Sequence, residues 1–247
     1  MFLREFKLDA ISDIAVSFHS KLNPLLWENN SLRPEVQLQL LKIAKEFIEF
    51  VNIPKIRLED ITISGSNAAY TYTKNSDIDL HIVVDIPFKQ TAYLTPLFDA
   101  KKNQFNLIHD IKIYGISVEI YVQPSNRVHH SQGVYSILNS MWISKPSRLK
   151  VKINDDDVLR KVENYASKIK EALNSQDLEF ANNVMGKIYK LRKTGLEAEG
   201  EFSVENIAFK VLRNKGIINK LREHIFYLED RELSLENYIH GKQKPDE

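Results

Sequence analysis

Apolar residues recur at intervals of three and four between residues 34 and 52. Val36, Leu40, Ile43, Ala44, Phe47 and Val51 predict an amphipathic helix with one buried face. Pro34 suits its first position and Pro54 stops it. Ile11, Ile14, Ala15 and Phe18 predict another helix over 8–22. The pattern then changes to that of strands. One is expected over 56–63, ending in Ile61-Thr62-Ile63, with a turn at Ser64-Gly65-Ser66. A second is expected over 77–84, stopped by Pro87. Residues 88–104 predict a helix disturbed by Pro96, and the runs 108–114 and 116–123, divided at Tyr114-Gly115, predict a hairpin. Beyond about residue 150 strand-like runs cease. Helical spacing covers 155–172, 177–193, 203–214 and 217–228, with Gly195, Gly200 and Gly216 between segments. The expected fold class is α+β: a mixed sheet with flanking helices over residues 1–150, followed by a helical domain over 151–247.

Composition narrows the chemistry. A hydrophobic content of 43% supports a true core, while a formal net charge of +1 says little about partners. The absence of cysteine excludes disulfides, thiolate catalysis and cysteine zinc sites. His109, His129 and His130 lack the spacing of a zinc site. The N-terminal residues carry early charge and no long apolar core, and no apolar run reaches the roughly 18 to 20 residues that span a bilayer. A soluble, cytoplasmic protein with no membrane partner is expected.

The strongest chemical signal lies at the turn between the first two strands. Eleven positions after Ser66, Asp77 and Asp79 are two residues apart, so on a strand they share a face while Ile78 and Leu80 face the core. Two carboxylates on one face repel unless a cation or proton intervenes, and hard oxygen donors suit Mg2+ or Mn2+. Glu119 adds a third carboxylate from a later strand. Three such groups can hold two ions, one activating an attacking hydroxyl and one binding a triphosphate and its leaving pyrophosphate. Ser66 and the backbone N–H groups of Gly65 to Asn67 are suited to hold phosphate. Ser76, Lys145 and Arg148 complete the expected nucleotide-binding set, with Tyr70 favoured for base stacking.

Gly65-Ser66 followed by Ser76-Asp77-Ile78-Asp79-Leu80 resembles the signature of the DNA polymerase β-like nucleotidyltransferase superfamily. The resemblance covers residues 56–123. It implies that the Gly-Ser turn grips a nucleoside triphosphate, that Asp77 and Asp79 bind both metals, and that Glu119 binds the catalytic metal and helps activate the acceptor hydroxyl. The wider string from Gly65 to Asp85, with Val118–Gln123 and Gly133–Ser136, is similar to nucleotidyltransferase-like proteins of large tailed phages. Two departures stand out: Glu119 occupies a position where many members have Asp, and Asn67-Ala68-Ala69-Tyr70 replaces the Arg-Gly of many small bacterial members.

Basic residues suggest where an acceptor binds. Lys145, Arg148, Lys150 and Lys152 form a stretch free of acidic residues. Lys187, Lys190, Arg192 and Lys193 cluster on one predicted helix, and Lys210 and Arg213 repeat the spacing of three on a later one. Side by side, these helices make a basic wall suited to RNA, so an RNA 3′ end is the preferred acceptor. Tyr72, Tyr121 and Tyr135 read either as base-stacking or as packing groups, and His81 lies on the side of Asp77 and Asp79. A second reading remains open: a non-catalytic protein that binds nucleotide or nucleic acid as a regulator or antitoxin-like partner.

Overall fold

The computed structural model describes residues 11–52, 57–86, 88–126, 131–149 and 151–235. The periodic run at its start forms α1 (Pro34–Val51), which buries Val36, Leu40, Ile43, Ala44 and Phe47. It ends at Asn52 in the left-handed conformation, whose N–H returns to the Ile48 carbonyl.

Alternation in the next segments produces β3 (Arg57–Ser64) and β4 (Ile78–Asp85), paired antiparallel. They follow a two-residue hairpin, β1 (Trp27–Glu28) and β2 (Ser31–Leu32). Helix α2 (Phe88–Ile108) then leads through β5 (Lys112–Ile113) to β6 (Ile116–Pro124), which lies parallel to β4. A parallel neighbour requires such a crossover, because a hairpin can only return the chain antiparallel. Adding β7 (Val134–Ser136) and β8 (Met141–Ser144) gives one mixed sheet in the order β5-β6-β4-β3-β7-β8. Ile63, Ile78, Leu80 and Ile120 are fully buried in one core with Phe47 of α1 and Phe105 of α2. Each such side chain contributes about 1.5–3 kcal/mol by leaving water.

The chain divides into two compact units. Val16–Lys150 carries the sheet; the described residues before Val16, Ile11–Ala15, group with those of 151–235. The second unit is helical: α3 (Asp155–Asn174), α4 (Leu178–Glu199), α5 (Val204–Asn214) and α6 (Ile217–Leu233). Three of its four helix starts are capped by side chains: at α3, Asn154 accepts from the N–H groups of Asp156 and Asp157, and at α4, Asp177 accepts from that of Phe180. Ser203 likewise accepts from the Asn206 N–H, although its sequence signature is weak. The α+β class is thus observed, with a mixed sheet, flanking helices and a C-terminal helical region. No helix among the described residues is long and apolar enough to cross a membrane.

Four expectations change. The helix over 8–22 reduces, in its described part, to a 3-10 turn at Ile11–Ile14. Beyond it, the His19 N–H bonds to the Tyr70 carbonyl, a partner a helix interior would not allow. The hairpin run 108–114 keeps only Lys112–Ile113 as strand, because α2 extends to Ile108. Gly195 does not end a helix; α4 runs on to Glu199, and a Cβ at Gly195 would lie 2.8 Å from Ser203 Oγ and 2.9 Å from Glu205 Cβ. Ile11–Ala15, expected with the sheet, belong to the helical unit: the Ser12 N–H bonds to Asp155 Oδ1, and Asn214 Nδ2 to the Ile14 carbonyl.

Candidate active site

Strand β3 stops at Ser64, and Gly65 turns the chain with φ 73° and ψ −164°. Only glycine adopts this conformation readily. Space demands it too, since a Cβ at Gly65 would lie 1.8 Å from Asp79 Oδ2. The missing side chain is what lets the Asp79 carboxylate lie against the turn. Ser66–Ala68 then form one 3-10 turn, closed by bonds from the Ala68 N–H to the Gly65 carbonyl and from the Ala69 N–H to the Ser66 carbonyl.

Side chains tie this turn to the start of β4. Ser66 Oγ donates to Ser76 Oγ at 2.8 Å, and Ser76 Oγ accepts from the Thr73 N–H at 2.9 Å. Asn67 is 1% exposed. Its Nδ2 donates to the carbonyls of Ser76 (3.2 Å) and Asp77 (2.9 Å), and its Oδ1 accepts from Asn23 Nδ2 (2.9 Å). Trp27 Nε1 donates to its carbonyl at 2.7 Å. The Asn67 side chain is therefore occupied in holding Asp77 in place, while its backbone N–H is the group expected at the phosphate. Ser66 and Ser76 share that scaffold role through their hydroxyls.

Register brings the acids together. Asp79 pairs with Ser64 on one side and with Glu119 on the other, and Ile78 and Val118 pair beside them. Ile78, Leu80 and Ile120 point into the core, so Asp79 and Glu119 emerge half-buried on the opposite face, with Asp77 half-buried just before β4. Asn106 of α2 grips the strand between Glu119 and Tyr121: its Oδ1 accepts from the Ile120 N–H at 3.4 Å and its Nδ2 donates to the Ile120 carbonyl at 3.5 Å.

Tyr121 is the neighbour that sequence reading left undecided. Its hydroxyl donates to Glu119 Oε2 at 2.6 Å. Its ring stacks on His81 with centroids 5.1 Å apart, and the Lys102 ammonium lies 5.0 Å from the ring centre. Burial, then the negative charges of Asp79 and Glu119, the hydrogen bond to Glu119 and the charge of Asp77 push the phenol far above its ordinary pKa. The hydroxyl therefore stays protonated and can only donate to Glu119. His81 Nε2 in turn shares a 3.0 Å hydrogen bond with Ser64 Oγ.

The donor set is chemically suited to a hard divalent cation: half-buried carboxylate oxygens on one sheet face, with the Gly65 hollow receiving Asp79. Asp77, Asp79 and Glu119 are the residues that could hold it. Among the described residues no three or more acidic or histidine side chains are grouped closely enough, as they stand, to hold a metal ion. Glu119 is turned toward Tyr121 instead.

The remaining nucleotide-site candidates divide. The Arg148 guanidinium lies 5.3 Å from the Tyr70 ring centre, so two residues expected at the nucleotide meet beside the turn. Nearby, Gly133 lets the turn and the segment before Arg148 pack closely: a Cβ there would lie 2.0 Å from the Ala68 carbonyl oxygen and 3.2 Å from Pro146. Lys145 is exposed, and Lys150 lies outside the described residues, as do His129 and His130. Tyr72 stacks on His19, while Tyr135 is buried edge-on against Trp27 and Trp142, a packing role.

In the helical unit, Lys187, Lys190 and Lys193 are exposed along α4, with Lys193 ion-paired to Glu197 at 3.8 Å. Arg192 turns inward, donating to Asn206 Oδ1 at 3.0 Å and lying over Phe209. Lys210 and Arg213 on α5 are half-buried; the charge of Lys210 acts on Glu201, and Arg213 Nε donates to Asn214 Oδ1.

No family model matches the chain, and no curated protein matches it significantly. Among solved structures, the STING-associated CdnE c-di-GMP synthase from Capnocytophaga granulosa is similar at 11% identity, over 81% of this chain and 84% of that one, with a TM-score of 0.24. At so slight an overlay, the class rests on the chain's own features. Those features define an α+β protein with a Gly-Ser turn and three carboxylates on adjacent strands of a mixed sheet.

Proposed function

We propose that the protein is a metal-dependent nucleotidyltransferase, moving a nucleoside monophosphate from a nucleoside triphosphate to an acceptor hydroxyl. One observation carries the reading: Asp79 and Glu119 lie in register on parallel strands, with the Gly65 turn packed on the Asp79 carboxylate. The resemblance of the Gly65-Ser66 and Asp77-Ile78-Asp79 pattern to polymerase β-like nucleotidyltransferases supports it. Asp77, Asp79 and Glu119 would hold Mg2+ or Mn2+, which when bound supplies charge neutralisation for the triphosphate and a lowered pKa for the hydroxyl.

In the reaction the acceptor oxygen forms a bond to the α-phosphorus as the α–β bridging bond breaks, and pyrophosphate carries away the bonding pair. The acceptor proton passes to the carboxylate group that includes Glu119. The N–H groups of the Gly65–Asn67 turn orient the departing phosphates, and Arg148 on Tyr70 contributes positive charge beside it. An RNA 3′ end is the preferred acceptor, supported by the exposed Lys187, Lys190 and Lys193.

The test is transfer of label from each α-labelled nucleoside triphosphate, with Mg2+ and cellular RNA, protein and metabolites as acceptors. Asp77→Asn and Asp79→Asn should each lower transfer at least roughly a hundred-fold while leaving the melting temperature near that of wild type. Undiminished transfer by both variants would overturn the assignment. Binding of metal and triphosphate without any transfer would favour the regulatory reading, and label confined to protein or a metabolite would overturn the RNA acceptor.

A further inference from the structure

We propose that Tyr121 is a positioning residue for the carboxylate site. It would hold Glu119 by one oxygen so that the other faces a cation. The inference rests on the metal-dependent reading above. Glu119 is longer than Asp79, its neighbour in register, and has one more rotatable bond; left alone, it would sample several rotamers. The Tyr121 hydroxyl removes that freedom through a 2.6 Å bond that engages Oε2 only, so Oε1 takes no part in it.

The clamp is itself fixed. Tyr121 stacks on His81, which is anchored through Ser64 Oγ at 3.0 Å at the end of the strand that turns at Gly65. The Lys102 ammonium lies over the tyrosine ring and is paired with Asp99 at 3.7 Å. Asn106, one helical turn beyond Lys102, holds the backbone at Ile120. His81 of β4 and Lys102 of α2 thus hold the ring, Ser64 and Asn106 brace its surroundings, and the phenol hydroxyl donates to Glu119. Packing alone would be served equally by phenylalanine. The hydroxyl matters only for what it does to the carboxylate, and outer hydrogen bonds of this kind tune both the orientation and the affinity of metal ligands.

Tyr121→Phe removes one oxygen and keeps the stacked ring. The readout is Mn2+ binding to the full chain without nucleotide, followed by electron paramagnetic resonance, for wild type, Tyr121→Phe, Glu119→Gln and the double variant. Tyr121→Phe should weaken Mn2+ binding roughly ten-fold or more. In the Glu119→Gln background the same change should alter binding less than about two-fold, because there is no carboxylate left to orient. Wild-type affinity in Tyr121→Phe, or equal weakening in both backgrounds, would overturn the role of Tyr121. Asp79→Asn separates the two ideas: if wild type binds no Mn2+ and Asp79→Asn transfers label undiminished, the metal-dependent reading fails, and the Tyr121 proposal fails with it.

Discussion

Gly65 does two things that no other residue type can do together. It takes a backbone conformation that a side chain disfavours, and it leaves the volume that Asp79 Oδ2 fills. Gly65→Ala should therefore cost roughly 1–3 kcal/mol in the backbone alone, and it should also drive the Asp79 carboxylate out of place. The expected outcome is a lower midpoint in urea together with transfer reduced to the level of Asp79→Asn. A variant that keeps full transfer would contradict this account of the turn. At this scale much was legible beforehand. The glycine, the serine and the two aspartates signal themselves through short, local spacing, and the two-residue period of a strand fixes their common face. Tyr121 was legible only as one tyrosine among several. The two-residue period puts it on the face of Glu119, but the rotamers that bring its hydroxyl to the carboxylate are set by the packing around it, which spacing does not encode.

Elements act through the ties between them, and Asn67 is the clearest of these. Its one buried amide joins the 3-10 turn to the start of β4 and to Asn23 ahead of the β1–β2 hairpin. Asn67→Ala would leave the Asn23 amide and the Ser76 and Asp77 carbonyls short of partners. A loss of roughly 2–3 kcal/mol in urea unfolding is expected, and transfer should fall because Asp77 is no longer held. Stability equal to wild type would show that these bonds are replaced by water. The long elements α1, β3, β4 and β6 follow from periodicity because each buries a continuous face. The strands β7 and β8 were missed. They have three and four residues, too few to display a period, and they exist because β3 offers an edge to pair with. Gly195 misled in the opposite direction: read as a break, it is instead the small residue that lets Ser203 and Glu205 approach α4.

Across the whole molecule the chain forms two compact units, and the helical one holds its own titrating group. Glu201 Oε1 is buried without a hydrogen-bond partner. Burial raises its pKa above the ordinary carboxylate value, outweighing the attraction of Lys210. The folded state thus holds this proton more tightly than the unfolded chain. Its contribution to stability is complete below the unfolded value, near pH 4.3, and is lost as pH rises through the folded value. Glu201→Gln should accordingly melt higher than wild type at pH 8, by an amount equivalent to roughly 1 kcal/mol, with the advantage shrinking toward pH 4. Parallel melting of the two proteins at both pH values would contradict this reading. The pairing of Ile11–Ala15 with the helices also belongs to this scale, since contacts between residues some 140 to 200 positions apart create it.

By itself the sequence determined the α+β class, the long helices and strands, the turn glycine and the shared face of Asp77 and Asp79. All of these follow from periods of 2 and 3.6 residues and from local backbone limits. Only the tertiary structure decided that Glu119 stands beside Asp79, that the Asn67 side chain braces the start of β4, and that Tyr121 holds Glu119. The first two depend on register between strands or on a side chain reaching across elements and the third on the rotamers of two side chains on β6, and all are settled by packing the whole core rather than by any local stretch of chain.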